Sequence, residues 1–204
     1  MRYVAYLHPL GYNLLTFDAR NHGSSSFEKH PTVWTFTEDT LAAINYVSQL
    51  DSFSSGEFGI IGLSIGGGAV INAASTNHQV KSVITVGALS HPAEVMKLEF
   101  QKRRIPPFIP KFLFSYIKFR FNIDFDKIAP VNNIQNAKAD ILLVHGDEDI
   151  TVPLAQGYVL EKAANREKTH LWIVPEKGHS NCESHPEFWP RIETFLKNRC
   201  LSAS

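Results

Sequence analysis

The sequence predicts an α/β fold with a mainly parallel sheet covered by helices on both faces. Three observations carry that prediction. Short apolar runs suited to buried strands alternate with longer stretches of helical periodicity. The 204 residues are 44% hydrophobic and 20% charged, enough for one domain with a sizeable core. No internal repeat or low-complexity linker divides them, and the composition excludes a disordered chain, a collagen-like repeat and a coiled coil.

The elements follow in order. Residues 1–9 read as the end of a helix, stopped by Pro9 and Gly11. Asn13 to Phe17 is a short apolar run suited to a buried strand, and the polar loop DARNHGSSS follows. Trp34 to Leu50 carries Phe36, Leu41, Ile44, Val47 and Leu50 at nearly helical spacing. Glu57 to Gly62 is a second strand, and Ile65 to Ala74 is a helix of small residues able to pack closely on a sheet. Further strands fit Val80–Val86, Ile141–Val144 and Leu171–Val174, with helices over Pro153–Ala164 and Pro186–Asn198. Alternation of this kind places a parallel sheet between two layers of helix.

Residues 91–128 break the rhythm. They hold eight basic residues against four acidic ones, and eight aromatics. Phe112, Tyr116 and Phe119 suit one face of a helix, whereas Phe119, Phe121, Ile123 and Phe125 alternate as in a strand.

Charge and cysteine usage narrow the function classes. Lysine plus arginine and aspartate plus glutamate are 20 each, so no global basic field points to nucleic acid as the main partner. Cys182 and Cys200 are too few for a disulfide scaffold and lack metal-ligand spacing, which reads as free thiols in a reducing, cytoplasmic compartment. No apolar run reaches the length of a membrane span, and MRYVAYLHPLGYN lacks the long apolar stretch and cleavage site of a signal peptide. The nine histidines include no His-Glu-x-x-His pairing, so neither a metal nor an organic cofactor is expected.

The strongest chemical signal is Gly62-Leu63-Ser64-Ile65-Gly66, between a predicted strand and a predicted helix. A serine hydroxyl is a poor nucleophile until it is lifted clear of the backbone and offered to a base. The sharp turn does the lifting, and Gly62 and Gly66 are expected to be there because side chains would crowd it. The new helix aims its first N–H groups at the site, making the Ile65 amide an oxyanion donor. The base and its orienting acid are sought downstream. One strand runs into His145-Gly146-Asp147-Glu148-Asp149 and the next into Pro175-Glu176-Lys177-Gly178-His179, both at carboxyl ends where α/β sheets place their sites.

Four motifs in order carry a resemblance. Asp18-Ala19-Arg20-Asn21-His22-Gly23 resembles an Asp-x-Arg-Gly-His-Gly loop, with Asn21 in place of a glycine. The Ser64 turn, the run from His145 to Pro153 and Gly178-His179 complete the series. From about residue 10 to residue 198 the chain is similar to α/β-hydrolases, in the branch of esterases, monoacylglycerol lipases and serine-aminopeptidase-like enzymes. The resemblance implies a triad of Ser64, Asp149 and His179, with Asp149 preferred over Asp147 and Glu148 although it could instead cap the following helix. His22, His145 and His185 are the rival histidines, and Asp18 and Arg20 are expected to brace their loop. The implied activity is cleavage of a small carboxylic ester, or less readily an amide, through an acyl-enzyme. Dehalogenase and epoxide-hydrolase chemistry is disfavoured, since those relatives carry a carboxylate where Ser64 stands.

In such proteins the position of residues 91–128 holds a cap, here an insert in a single domain spanning 1–204. Its aromatics, Phe112 and Phe119 first, would either line an acyl pocket or merely pack the cap down. Family members also carry strands ahead of Asn13 and a His-Gly-type loop supplying a second oxyanion amide. The resemblance therefore implies an N-terminally truncated sheet with an exposed edge at Asn13–Phe17 and weakened catalysis. The alternative function is an impaired or non-catalytic hydrolase-fold protein.

Overall fold

The computed structural model describes residues 2–50 and 56–200. The helices are α1 (Arg2–Leu7), α2 (Val33–Ser48), α3 (Ile65–Thr76), α4 (Pro92–Lys102), α5 (Phe108–Phe121), α6 (Phe125–Ile128), α7 (Pro130–Asn133), α8 (Ala155–Ala163) and α9 (Phe188–Cys200). Strands β1 (Phe58–Leu63), β2 (Val80–Val86), β3 (Asp140–Gly146) and β4 (Thr169–Val174) form one parallel sheet in the order β1-β2-β3-β4.

Alternation along the two central strands builds two core layers. Val83, Ile141 and Leu143 face one way, against Ile44 of α2, Val70 and Ile71 of α3, and Leu160 of α8. Ile84, Val86, Leu142 and Val144 face the other way, against Leu7 of α1 and Phe188, Ile192 and Leu196 of α9. Register pairs Val83 with Ile141 and Ile84 with Leu142, so each layer is continuous across the strands. This is the parallel sheet, apolar on both faces, that the sequence predicts.

Local chemistry sets the helix ends. Thr32 and Thr35 form a reciprocal capping box at the start of α2. After α1 a single 3-10 turn ends at Gly11, whose φ of 91° closes it. The small residues of α3 let it approach its neighbours: a Cβ on Gly67 would lie 2.8 Å from the Ala88 Cβ, and one on Gly68 would lie 2.9 Å from Pro130 Cγ.

Two readings of the sequence need correction. Asn13–Phe17 is not a strand, and Leu14, Leu15 and Phe17 are exposed. An apolar run becomes a strand only where a neighbour offers its backbone groups, and among the described residues β1 pairs with β2 alone. The ambiguous 91–128 segment is helical. The apparent alternation through Phe119, Phe121, Ile123 and Phe125 is a helix stop: Asn122 turns left-handed at φ 55° to end α5, and Asp124 caps α6 by accepting from Asp126 N–H. Cys182 is a buried free thiol, pushed up to about 11 by burial, and the Cys200 side chain lies outside the described residues. Among the described residues no helix is long and apolar enough to cross a membrane.

Candidate active site

Ser64 occupies the turn between β1 and α3 with φ 53° and ψ −120°, a positive-φ conformation that costs a non-glycine residue energy. Its N–H donates to the Val86 carbonyl at 2.8 Å, tying the turn to the end of β2. Gly62 is required as expected, because a Cβ there would lie 2.3 Å from the Gly66 carbonyl oxygen. Gly66 is not required in that way, since a Cβ on it meets nothing within 4 Å. Gly66 instead contributes the carbonyl that leaves Gly62 no room. Ile65 is the first residue of α3, and an N–H in the first turn has no intrahelical acceptor.

The loops after β3 and β4 are pressed together: a Cβ on Gly146 would sit 2.1 Å from the Lys177 carbonyl oxygen. This contact brings Asp149 and His179 into line with Ser64. His179 Nδ1 lies 2.7 Å from Asp149 Oδ2, and His179 Nε2 lies 2.9 Å from Ser64 Oγ. A carboxylate only accepts, so Nδ1–H is the donor toward Asp149 and Nε2 is left to accept from the serine hydroxyl. The Asp149 carboxylate has no solvent exposure. It does not cap the following helix, whose N-cap is Leu154 with no side-chain cap; Oδ1 instead accepts from the loop N–H groups of Thr151 and Val152 while Oδ2 serves the histidine. Asp147 makes only a 3.4 Å contact with Lys177 N–H, and Glu148 is exposed.

The rival histidines lie elsewhere. His22 Nδ1 faces the Arg20 carbonyl, and its ring packs on Phe36. The His185 ring packs on Trp172. His145 is buried under the acid loop, donating from Nε2 to the Val152 carbonyl at 2.7 Å, and Gly157 clears the space at its Nδ1. Burial pushes the His145 imidazole below its usual range, against the upward pull of the Val152 hydrogen bond and Asp149. The unfolded chain therefore takes up this proton more readily, and stability is lost as pH falls below about 6.5. Thermal melts between pH 7 and 5 should fall less steeply for His145→Asn than for the wild type. Arg20 braces its loop against α2, giving Nε–H to Asp39 at 2.7 Å and a second N–H to Glu38 at 2.8 Å.

Ser64 and His179 open into a cavity of about 700 Å³ with apolar walls from Tyr3, Val4, Phe17 and Leu63. Arg2 and Glu183, an ion pair, stand at its side. Phe112 and Phe119, expected to line the substrate pocket, do not line this cavity: they are 73% and 89% exposed. Alanine at either position should change stability by no more than about 0.5 kcal/mol and leave ester chain-length preference unaltered, measured by denaturant melts and a p-nitrophenyl ester series.

Two contributors have no counterpart in the sequence reading. The Tyr3 hydroxyl is buried without a hydrogen-bond partner among the described residues, and burial pushes its phenol well above the usual range. Gly87, at φ 62° just past β2, stands where a Cβ would lie 3.0 Å from His179 Nδ1 and 3.3 Å from Asp149 Oδ2. The only signal for it is a glycine directly after a strand. Among the described residues no group of three or more metal-ligating side chains forms.

The chain belongs to the alpha/beta hydrolase fold family, whose sequence model matches residues 2–125. It is 33% identical over 76 residues to a 31.7 kDa protein in the traX-finO intergenic region of Escherichia coli, across 37% of this chain and 27% of that one. It is 24% identical over 78 residues to the human alpha/beta hydrolase domain-containing protein 17B, across 38% of this chain and 27% of that one. The matched segment thus spans about a quarter of these relatives' length. Among solved structures, an esterase of Pyrococcus furiosus superposes with a TM-score of 0.74 at 21% identity, over 97% of this chain and 74% of that chain. A monoacylglycerol lipase of Paleococcus ferrophilus superposes with a TM-score of 0.67 at 19% identity, over 100% and 88% respectively. These likenesses establish the fold.

Proposed function

We propose that the chain is a serine hydrolase that cleaves a carboxylic ester through an acyl-enzyme. The observation that carries this reading is the continuous relay from Ser64 Oγ to His179 Nε2 at 2.9 Å and from His179 Nδ1 to Asp149 Oδ2 at 2.7 Å. In this reading His179 takes the hydroxyl proton as Ser64 Oγ attacks the carbonyl carbon. Asp149 holds the ring in the required tautomer and stabilises the imidazolium. The Ile65 N–H donates to the oxyanion. Collapse of the tetrahedral intermediate breaks the ester bond, His179 returns the proton to the leaving alkoxide, and Ser64 keeps the acyl group. Water, deprotonated by His179, then releases the acid and restores the serine. The esterase and lipase among the structural neighbours support an ester rather than another acyl donor.

The apolar walls of the cavity suit a small ester or acyl substrate, and no cofactor takes part in any step of this scheme. Residues 91–128 act as the cap. In support, Lys102 at the end of α4 donates to the Ile150 carbonyl, next to Asp149, at 2.9 Å. Incubation with a fluorophosphonate probe tests the reading. Labelling of the wild type and none of Ser64→Ala is the expected result. Equal labelling of both proteins, or of neither, overturns it.

A further inference from the structure

Helix α5 is apolar on both sides, and among the described residues one side packs on the protein while the other is exposed. Leu113, Phe114, Ile117 and Phe121 are half-buried and Pro110 is buried, all on the inner side. Phe108, Phe112, Tyr116 and Phe119 recur at spacings of four, four and three, so they form one stripe on the opposite side. Their exposures are 59%, 73%, 56% and 89%, far beyond the scattered apolar residues of an ordinary surface. Cations flank the stripe: Lys111 and Lys118 project along one border and Arg120 along the other, at helical spacing. Lys118 is paired with Asp124 at 2.8 Å and the Arg120 guanidinium lies 5.4 Å over the Phe121 ring, while among the described residues neither Lys111 nor Arg120 is in an ion pair. The turn before α5 adds the exposed Arg103 and Arg104.

An aromatic stripe bordered by cations on a surface helix has the chemistry of an element lying in the plane of a lipid interface. Its rings enter the headgroup–acyl boundary while the cations meet anionic headgroups. A second copy of the chain is a poorer occupant, because pairing two such stripes sets the cations of one helix against those of the other. We propose that α5 docks the protein peripherally on anionic lipid bilayers through Phe108, Phe112, Tyr116 and Phe119, with Lys111 and Arg120 reading the headgroup charge. The proposal is independent of the hydrolase chemistry, since the stripe lies outside the Ser64 cavity.

Co-sedimentation of the full protein with large unilamellar vesicles tests it. One set is phosphatidylcholine and phosphatidylserine at three to one, and the other is phosphatidylcholine alone. Binding to the anionic vesicles should exceed binding to the neutral ones and weaken as salt is raised. Phe112→Ser combined with Phe119→Ser should lower the partition coefficient at least roughly tenfold, because two interfacial rings are lost. Lys111→Glu combined with Arg120→Glu should remove the preference for phosphatidylserine. Both double variants alter exposed side chains, and unchanged far-UV circular dichroism and hydrolysis of a soluble ester verify that they remain folded. The proposal is overturned if the wild type sediments with neither vesicle, or if its binding is indifferent to the aromatic double variant. It is equally overturned if the wild type is a dimer that the aromatic variant converts to a monomer, which would make a second copy the occupant.

Discussion

Asp149→Asn should lower kcat for a short p-nitrophenyl ester by about four orders of magnitude while leaving the fold intact. The carboxylate accepts from His179 Nδ1–H through Oδ2 and from the Thr151 and Val152 amides through Oδ1. Asparagine can keep its carbonyl oxygen on the two amides, which preserves the turn. Its NH2 then faces His179 and favours the tautomer with the proton on Nε2, which cannot accept from Ser64. Asp147→Asn is the control, because Asp147 makes only a long contact to Lys177 N–H. Its rate should stay within a few-fold of the wild type. Equal losses in the two variants would mean that the orienting acid has been assigned to the wrong aspartate.

Gly87→Ala should slow hydrolysis by disturbing His179 rather than by unfolding the protein. A side chain at φ 62° is strained by about 1–2 kcal/mol, whatever space surrounds it. The added methyl would also lie 3.0 Å from His179 Nδ1 and 3.1 Å from Cε1, against the edge of the ring that meets Asp149. Relief of that contact moves the imidazole by a few tenths of an ångström; since about 1 Å of misplacement costs roughly 100-fold in rate, a loss of roughly tenfold or less is expected. Steady-state kinetics and a denaturant melt of the same preparation separate the two effects. The loss of kcat/KM should far exceed the fraction of protein unfolded. A variant with wild-type kinetics would show that the His179–Asp149 pair does not depend on this glycine for its position.

The residues that assemble the site were legible wherever their signal was local. The Gly62–Gly66 turn, the Asp149 loop and Gly178-His179 each lie directly after a strand, so strand prediction and motif fell into register. The two-layer core was legible for a related reason. Val83 and Ile84, or Ile141 and Leu142, are buried on opposite faces, and that demands apolar residues at consecutive positions.

Features set by distant neighbours were not legible. Asn13–Phe17 has the composition of a strand, but pairing is decided by a partner elsewhere in the chain. Gly87 matters only because two loops from other parts of the sequence converge beside it. Phe112, Tyr116 and Phe119 were legible as one helix face but not as an outward one, because Leu113, Ile117 and Phe121 give α5 a second apolar side and periodicity alone does not say which side meets the protein. For the same reason Phe112 and Phe119 were assigned to a pocket that they do not line.

Ser64 Oγ is proposed to form the covalent intermediate. Intact-protein mass spectrometry after acid quenching, early in the reaction with a short p-nitrophenyl ester, tests it most directly. The expected result is a mass increase of one acyl group, mapped by peptide digestion to Ser64 and missing from Ser64→Ala. An acyl group on any other residue, or undiminished hydrolysis by Ser64→Ala, would contradict it.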